Sequence, residues 1–440
     1  VFNWQPVFWC SGALVFPKVF NMSFIAKFKQ QPFVAKMLIF LAIMGPGIIT
    51  ANVDNDAGGI TTYSLAGAHF GYTLIWSLIP ITFALIVVQE MCARMAVATG
   101  KGLADLIREN FGVKITFYLM LVLFVVNLTN VMAEFSGIAA SMEIFGVSRY
   151  FAVPLSGLFV WFLVVRGTYK LVERVFLGAC LFYLAYLVSG IMAKPDWNDV
   201  LHQTVVPHFQ LRLEYIIMLV GLVGTTIAPW MQFYLQSSIV EKGVSPEQYK
   251  LVRLDVVSGC IIAPVVALFI IVACAATIFK AGVPINTAAD AAIALKPLAG
   301  IYASWLFALG LFVASIFAAA ILPLSTAYSI CEGMGWDAGV DRRFEEAPQF
   351  FGLYTAMIIL GAGTVLMPKF PLLKVMYFSQ VGNGILLPVI LIFMLRLIND
   401  KRLMGEFTNS RTFNAITWFT VATVMILTLM MVGFTVMYGI

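Results

Sequence analysis

Two aspartates spaced two residues apart, Asp54 and Asp56, stand in the run TANVDNDAGGITTYS, residues 50–64, with an amide at Asn55 and a glycine pair at Gly58 and Gly59. The run MLIFLAIMGPGII precedes them and GYTLIWSLIPITFALIVV follows, so both carboxylates fall where a helix would cross a bilayer. An Asp near the bilayer centre costs about 2.5–3.5 kcal/mol even on the mild insertion scale. Sequences carry such groups for ion coordination, proton relay or as a counter-ion. Every Lys and Arg can be assigned to a loop or a helix end, which leaves a bound cation as the simplest partner.

The elements that must position these carboxylates are membrane helices. The chain has 440 residues, 61% hydrophobic and only 11% charged, against about 25% charged in soluble domains. Apolar runs near the roughly 20 residues of a spanning helix recur at 37–65, 72–98, 113–145, 150–166, 171–192, 213–240, 254–279, 300–330, 350–367, 373–396 and 413–438. These eleven spans are hereafter counted in chain order. Charge asymmetry sets the orientation: with the N-terminus inside, the outer side holds Arg149, Lys194, Arg212, Lys280, Lys296, Lys369 and Lys374, and the inner side the rest of the 27 Lys and Arg. The expected location is the plasma membrane, with the N-terminus cytoplasmic and the C-terminus outside. Residues 1–36, which open on the aromatic VFNWQPVFWCSGALVF, form a cytoplasmic segment or lie at the interface rather than being a signal peptide. No long basic block argues for a nucleic-acid partner, and no nucleotide, haem or catalytic motif argues for an enzyme or a cofactor. None of the six cysteines forms a CxxC pair, and they read as small buried hydrophobes.

Two spans are interrupted. Span one carries Gly45-Pro46-Gly47 and then VDNDAGG; span six carries Gly221, Gly224, Thr225, Thr226, Ala228 and Pro229 at its middle. Pro removes a backbone donor, and Gly makes non-helical backbone cheap. Such backbone survives at membrane depth only where it is buried in protein or lines a cavity. Breaks at matching positions of two repeats mark a transporter's substrate site; for span six alone, a packing kink is an equal reading.

At these residues the chain resembles the Nramp family of divalent-metal transporters, along nearly its whole length. GPGIITANVDNDAGGITTYSLAGAHFGYTLIW is similar to the family's GP, DPGN and AGAxFGY series; ERVFLGACLFYLAYLVSGIMAKPDW, residues 173–197, is similar to its fifth helix; and SQVGNGILLP, from Ser379, to its tenth. The resemblance implies an all-α membrane protein of the leucine-transporter type. Its two inverted five-helix repeats would be 37–192 and 213–396, with an eleventh helix at 413–438, and helices one and six would be unwound around the metal. Counting back from Ala66-Gly67-Ala68 puts Asp56 on the family's metal-binding Asp. Ala228, Thr225 and Ile227 would offer carbonyls from span six. Gln380 would offer an amide oxygen or else make a helix–helix hydrogen bond, and Asn383 is a weaker candidate of the same kind. Asp54 would face the cavity or cap a half-helix.

Departures from the family pattern are as informative. The sixth-helix MPH is Ala228-Pro229-Trp230, the Asn of DPGN is Gly59, and DLAE reads Val131-Met132-Ala133-Glu134; the Arg pair opening the ninth helix has no counterpart around Phe350 and Phe351. Without a thioether the remaining donors are hard oxygens, suited to Mg²⁺, Ca²⁺ or Mn²⁺. Ala228 and Gly59 are expected to widen the site for a partly hydrated ion. The pattern resembles the Nramp-related magnesium transporter branch. Glu134 is expected to be a neutral, hydrogen-bonded acid, and His69, His202 and His208 to lie in outer loops. Asp255 and Glu332 read as solvated or capping charges at cytoplasmic helix ends. The leading expectation is uptake of Mg²⁺, and also Mn²⁺, by a single copy in the bilayer without proton coupling. A proton-coupled Mn²⁺ or Fe²⁺ symporter is the alternative. A Na⁺-coupled organic-solute symporter and a metal sensor are more distant ones.

Overall fold

The computed structural model describes residues 45–166, 184–282, 284–285, 288–291, 300 and 303–438. Residues 1–36, most of span five, Cys10 and Cys180 lie outside them. The described chain is helical: α1 (Pro46–Val53), α2 (Ala57–Phe70), α3 (Leu78–Thr99), α4 (Leu103–Phe111), α5 (Val113–Ile144), α6 (Arg149–Val165), α7 (Leu184–Met192), α8 (Trp197–Val205), α9 (Leu213–Thr226), α10 (Pro229–Glu241), α11 (Tyr249–Cys274), α12 (Ala303–Met334), α13 (Pro348–Val365), α14 (Leu372–Ile398) and α15 (Arg411–Tyr438). Among the described residues eight helices are long and apolar enough to cross a membrane, and Arg149–Val165 is a shorter apolar one.

Both expected interruptions are present. Span one is two helices, α1 and α2, separated by Asp54, Asn55 and Asp56. Pro46 opens α1, where its missing N–H costs nothing. Asp56 is the N-cap of α2, its Oδ1 accepting from the Gly59 N–H at 2.7 Å. Gly71 ends α2 at φ 57°, a conformation that favours glycine. Span six is α9 and α10, joined through Ile227 and Ala228. Pro229 drives the break from both sides. It forces the residue before it toward extended backbone, which Ala228 adopts at φ −64° and ψ 138°. As first residue of α10, it needs no donor.

Glycines set how closely the helices approach around these breaks. A Cβ on Gly224 would strike the Gln380 carbonyl and the Gly384 N–H, and one on Gly384 would lie 2.5 Å from the Val220 carbonyl oxygen. Helices α9 and α14 therefore meet backbone to backbone. A Cβ on Gly47 would lie 2.6 Å from Val256 Cα, and one on Gly259 would lie 2.7 Å from the Gly47 carbonyl oxygen, so α1 lies as tightly on α11. On the far side of the breaks, Gly137 of α5 leaves room for Ser315 of α12 and the Ala57 methyl.

Candidate functional site

Two half-helices place the two aspartates in opposite settings. Asp56 stands at the start of α2, where the helix dipole and the Gly59 N–H favour a negative group. Its carboxyl also faces that of Glu134 on α5. Glu134 Oε2 in turn accepts from the Ala57 N–H at 3.2 Å. Two touching carboxyls in a dry site share a proton or a cation. Asp54 is the C-cap residue of α1, the end where the dipole disfavours an anion. Both its oxygens are buried without a hydrogen bond, although the Tyr63 hydroxyl is close by, itself 2.9 Å from Thr226 Oγ1. Asn55 Oδ1 and Glu134 Oε1 also lack partners. Burying such groups without a partner is costly, so the break displays free oxygen-donor capacity, most of it on Asp54.

Span six contributes hydroxyls and helix-end carbonyls. The Ile227 N–H donates to Val223 as the closing bond of α9, which leaves the following carbonyls outside the helical ladder. Thr225 Oγ1 donates to the Asp54 carbonyl at 3.5 Å. The Ala228 carbonyl accepts from the Met231 N–H at 3.1 Å, so this expected donor is partly committed to starting α10. Trp230 lies in the first turn of α10, its ring 6.4 Å from that of Tyr234 and its carbonyl bound by Ser325.

Gln380 lies directly over the start of α2: a methyl on Gly58 would occupy the place of its Nε2. Its Oε1 is taken by Asn383 Nδ2 at 2.9 Å, and Nε2 donates to Ser379 Oγ at 3.3 Å. In this conformation Gln380 makes the helix hydrogen bond rather than offering its oxygen to the break. Asn383 also exchanges two bonds with Asn130, and Asn127 donates to Thr326 Oγ1 at 2.9 Å. Asn127 and Asn130 were not singled out in the sequence; two amides three residues apart in an apolar span are the signal that would have found them.

Three expectations need correction. Gly59 does not open space, because a Cβ there would strike the Asp54 carbonyl and lie 3.1 Å from Thr225 Oγ1; the missing side chain is filled by backbone. Of the two readings of Asp255, solvated or capping, only the first fails: it is 1% exposed and its carboxylate caps the start of α1. Glu332 is likewise turned inward, its Oε1 accepting from Ser237 Oγ at 2.5 Å. His69 and His202 sit on helices, in the last turn of α2 and on α8, rather than in loops; His208 does lie in a loop.

Asp54, Asp56, Glu134, Thr225, Ala228, Trp230, Gln380 and Asn383 are each at most 3% exposed, and Gly59 is buried with them. Two surface cavities lie at opposite ends of the helices, of about 520 Å³ beside Lys101, Glu241 and Trp336 and about 400 Å³ beside Gly71, Asp196 and Lys280. Neither is lined by a break residue. Among the described residues no group of three or more His, Cys, Asp or Glu is arranged to hold a metal ion.

The family model described as natural resistance-associated macrophage protein-like matches residues 47–433. A divalent metal cation transporter MntH from Caldanaerobacter subterraneus subsp. tengcongensis is 26% identical over 84% of this chain and 88% of its own length. One from Klebsiella pneumoniae subsp. pneumoniae is 28% identical over 87% of this chain and 92% of its own. The crystal structure of an Eremococcus coleocola manganese transporter superposes with a TM-score of 0.75 at 21% identity, covering 91% of this chain and 87% of that one. That likeness shows the fold, the leucine-transporter-type architecture that the family resemblance implies.

Proposed function

The chain belongs to the Nramp family, and on that premise we propose that it carries divalent metal ions across the membrane by alternating access, with Mg²⁺ as principal cargo and Mn²⁺ as a second. The observation that carries the choice of cargo is Ala228. It stands at the span-six break where the family resemblance expects a thioether, and the groups gathered there are carboxyl, amide, hydroxyl and carbonyl oxygens. Hard oxygen donors in small number suit an ion that sheds water reluctantly and keeps part of its shell. In this reading Asp56 and Asp54 supply the charge, Thr225 and the α9 carbonyls the neutral donors. Gln380 joins when it leaves Asn383. Gly59 shapes the backbone, its N–H donating to Asp56, and brings no side chain to the ion.

Uptake is proposed to be driven by the ion gradient and membrane potential alone. Val131 stands where the family pattern has an Asp, and no His lies at the breaks. The repeats are placed at 37–192 and 213–396, the N-terminus on the cytoplasmic side, and the working unit is a single copy. The deciding experiment is isotope-traced Mg²⁺ uptake into proteoliposomes in competition with Mn²⁺. Mg²⁺ uptake lost on Asp56→Ala and only partly displaced by equimolar Mn²⁺ supports the reading; strong Mn²⁺ preference over millimolar Mg²⁺ overturns it.

One observation favours the second reading, a proton-coupled Mn²⁺ or Fe²⁺ symporter. Thr61 Oγ1 on α2 donates to Met376 Sδ on α14 at 3.6 Å, so a buried thioether lies near the outer side of the break. Loss of Mn²⁺ uptake in Met376→Leu with Mg²⁺ uptake unchanged would mark that sulfur as the replacement donor.

A further inference from the structure

We propose that Asp255 is a latch that holds half-helix α1 against α11, and that its release is the step that opens the ion site on the α1 side of the membrane. The inference rests on the alternating-access reading above but concerns a residue outside the ion site.

Asp255 is 1% exposed and belongs to α11, yet its hydrogen bonds go to the first turn of a different helix. Its carboxylate accepts from the N–H groups of Gly45 at 3.2 Å, Gly47 at 2.7 Å and Ile48 at 3.4 Å. Pro46 has no N–H, so one side chain meets every backbone donor from residue 45 to 48. These are the donors a helix start cannot satisfy itself, and Gly45 offers no capping side chain. A carboxylate is the strongest available cap, through charge-assisted bonds and the positive end of the helix dipole.

The rest of the contact makes this cap a control point. With eight residues, α1 is too short to persist on helix propensity. The Gly47 and Gly259 contacts bring it onto α11 with no side chains between. Its other end carries Asp54 and the break. Separating α1 from α11 therefore strips three donors and a charge of their partners at once, and the separated state is tolerable only when water enters the gap. The contact is two-state, closed and dry or open and wet. The outer half of span one also rests on α11, where a Cβ on Gly67 would strike the Ile271 carbonyl. That contact involves no charged group. The releasable bond sits at the α1 end.

Thr50 on α1 and Ser141 on α5 are both buried. Each is changed to Cys in purified protein, without added divalent ions, and its rate of reaction with a water-soluble maleimide is measured. Asp255→Ala should raise the rate at Thr50→Cys about tenfold and leave Ser141→Cys unchanged. Asp255→Asn, which can still accept but carries no charge, should give a smaller rise in the same place. If Asp255→Ala does not yield monodisperse protein, Asp255→Asn decides by the same two positions. An unchanged rate at Thr50→Cys, or an equal rise at both positions, overturns the latch, the second outcome by showing general loosening. In uptake, Asp255→Asn should lower turnover with KM within about twofold; a raised KM with unchanged turnover would instead place Asp255 in ion binding. The labelling needs no cargo, so its outcome stands apart from the choice of Mg²⁺.

Discussion

Asn130 on α5 and Asn383 on α14 exchange two amide hydrogen bonds, at 2.8 and 3.1 Å, and the same Asn383 amide holds the Gln380 oxygen at 2.9 Å. The pair fixes which end of Gln380 meets the break. In Asn130→Leu, Asn383 loses its partner inside a dry site, at a cost of about 1–3 kcal/mol. We expect a lower melting temperature together with a changed KM for the ion, since the Asn383 amide that holds the Gln380 oxygen is no longer fixed in place by α5. A lower melting temperature with unchanged KM would mean that the pair is only a helix–helix contact.

Asp56 has two jobs that one substitution separates. As N-cap it satisfies Gly59, and as a carboxylate it supplies charge. Asn caps helices as well as Asp does, whereas Ala loses about 1 kcal/mol at such a position. Asp56→Asn is therefore predicted to melt like the wild type but to lose at least about a hundredfold in uptake, close to 2.7 kcal/mol. Asp56→Ala should lose both. Uptake retained in Asp56→Asn would move the charge requirement to Asp54.

Gly59→Asn, which restores the family's residue, is expected to fail as a selectivity switch. Its Cβ would strike the Asp54 carbonyl, a backbone atom that cannot swing aside. Overpacking of this kind costs about 1–3 kcal/mol. The measurement is a thermal melt beside Mg²⁺ and Mn²⁺ uptake: a lowered midpoint with both ions impaired is expected, and normal stability with sharpened Mn²⁺ preference would refute it.

Ala228→Met is the productive counterpart, because it adds a soft donor at the span-six break. We predict that Mn²⁺ and Cd²⁺ gain about tenfold relative to Mg²⁺ in competition uptake. No gain for either ion would show that position 228 does not face the cargo.

Coupling is tested separately. Proteoliposomes holding a pH dye should show ion uptake without acidification of the lumen. Acidification that follows the metal, and disappears in Glu134→Gln, would restore a proton route through the Asp56–Glu134 pair.

The breaks were legible in the sequence because their cost is local: carboxylates in an apolar run and a Gly-Pro cluster need no tertiary knowledge to stand out. What surrounds them was not legible. Asp255 reads as either a solvated or a capping charge at a helix end until the neighbouring helix is seen to aim three N–H groups at it. Gly59 reads as vacant space until the Asp54 carbonyl is found filling it. Asn130 matters through Asn383, more than two hundred and fifty positions away. In each case the missing information was a partner on another helix, which residue type and spacing along one chain do not encode.

The glycine seam between α9 and α14 has a mechanical consequence. Where Gly224 and Gly384 bring two backbones together, few side-chain atoms lie between them to flex and absorb displacement. Two helices in such contact are expected to move together as a strut, with bending in span six falling at the break, Ile227 and Ala228. That joint lies beside Thr225, whose hydroxyl donates to the Asp54 carbonyl. Movement of the strut would thus reach the aspartates through the two residues of that joint.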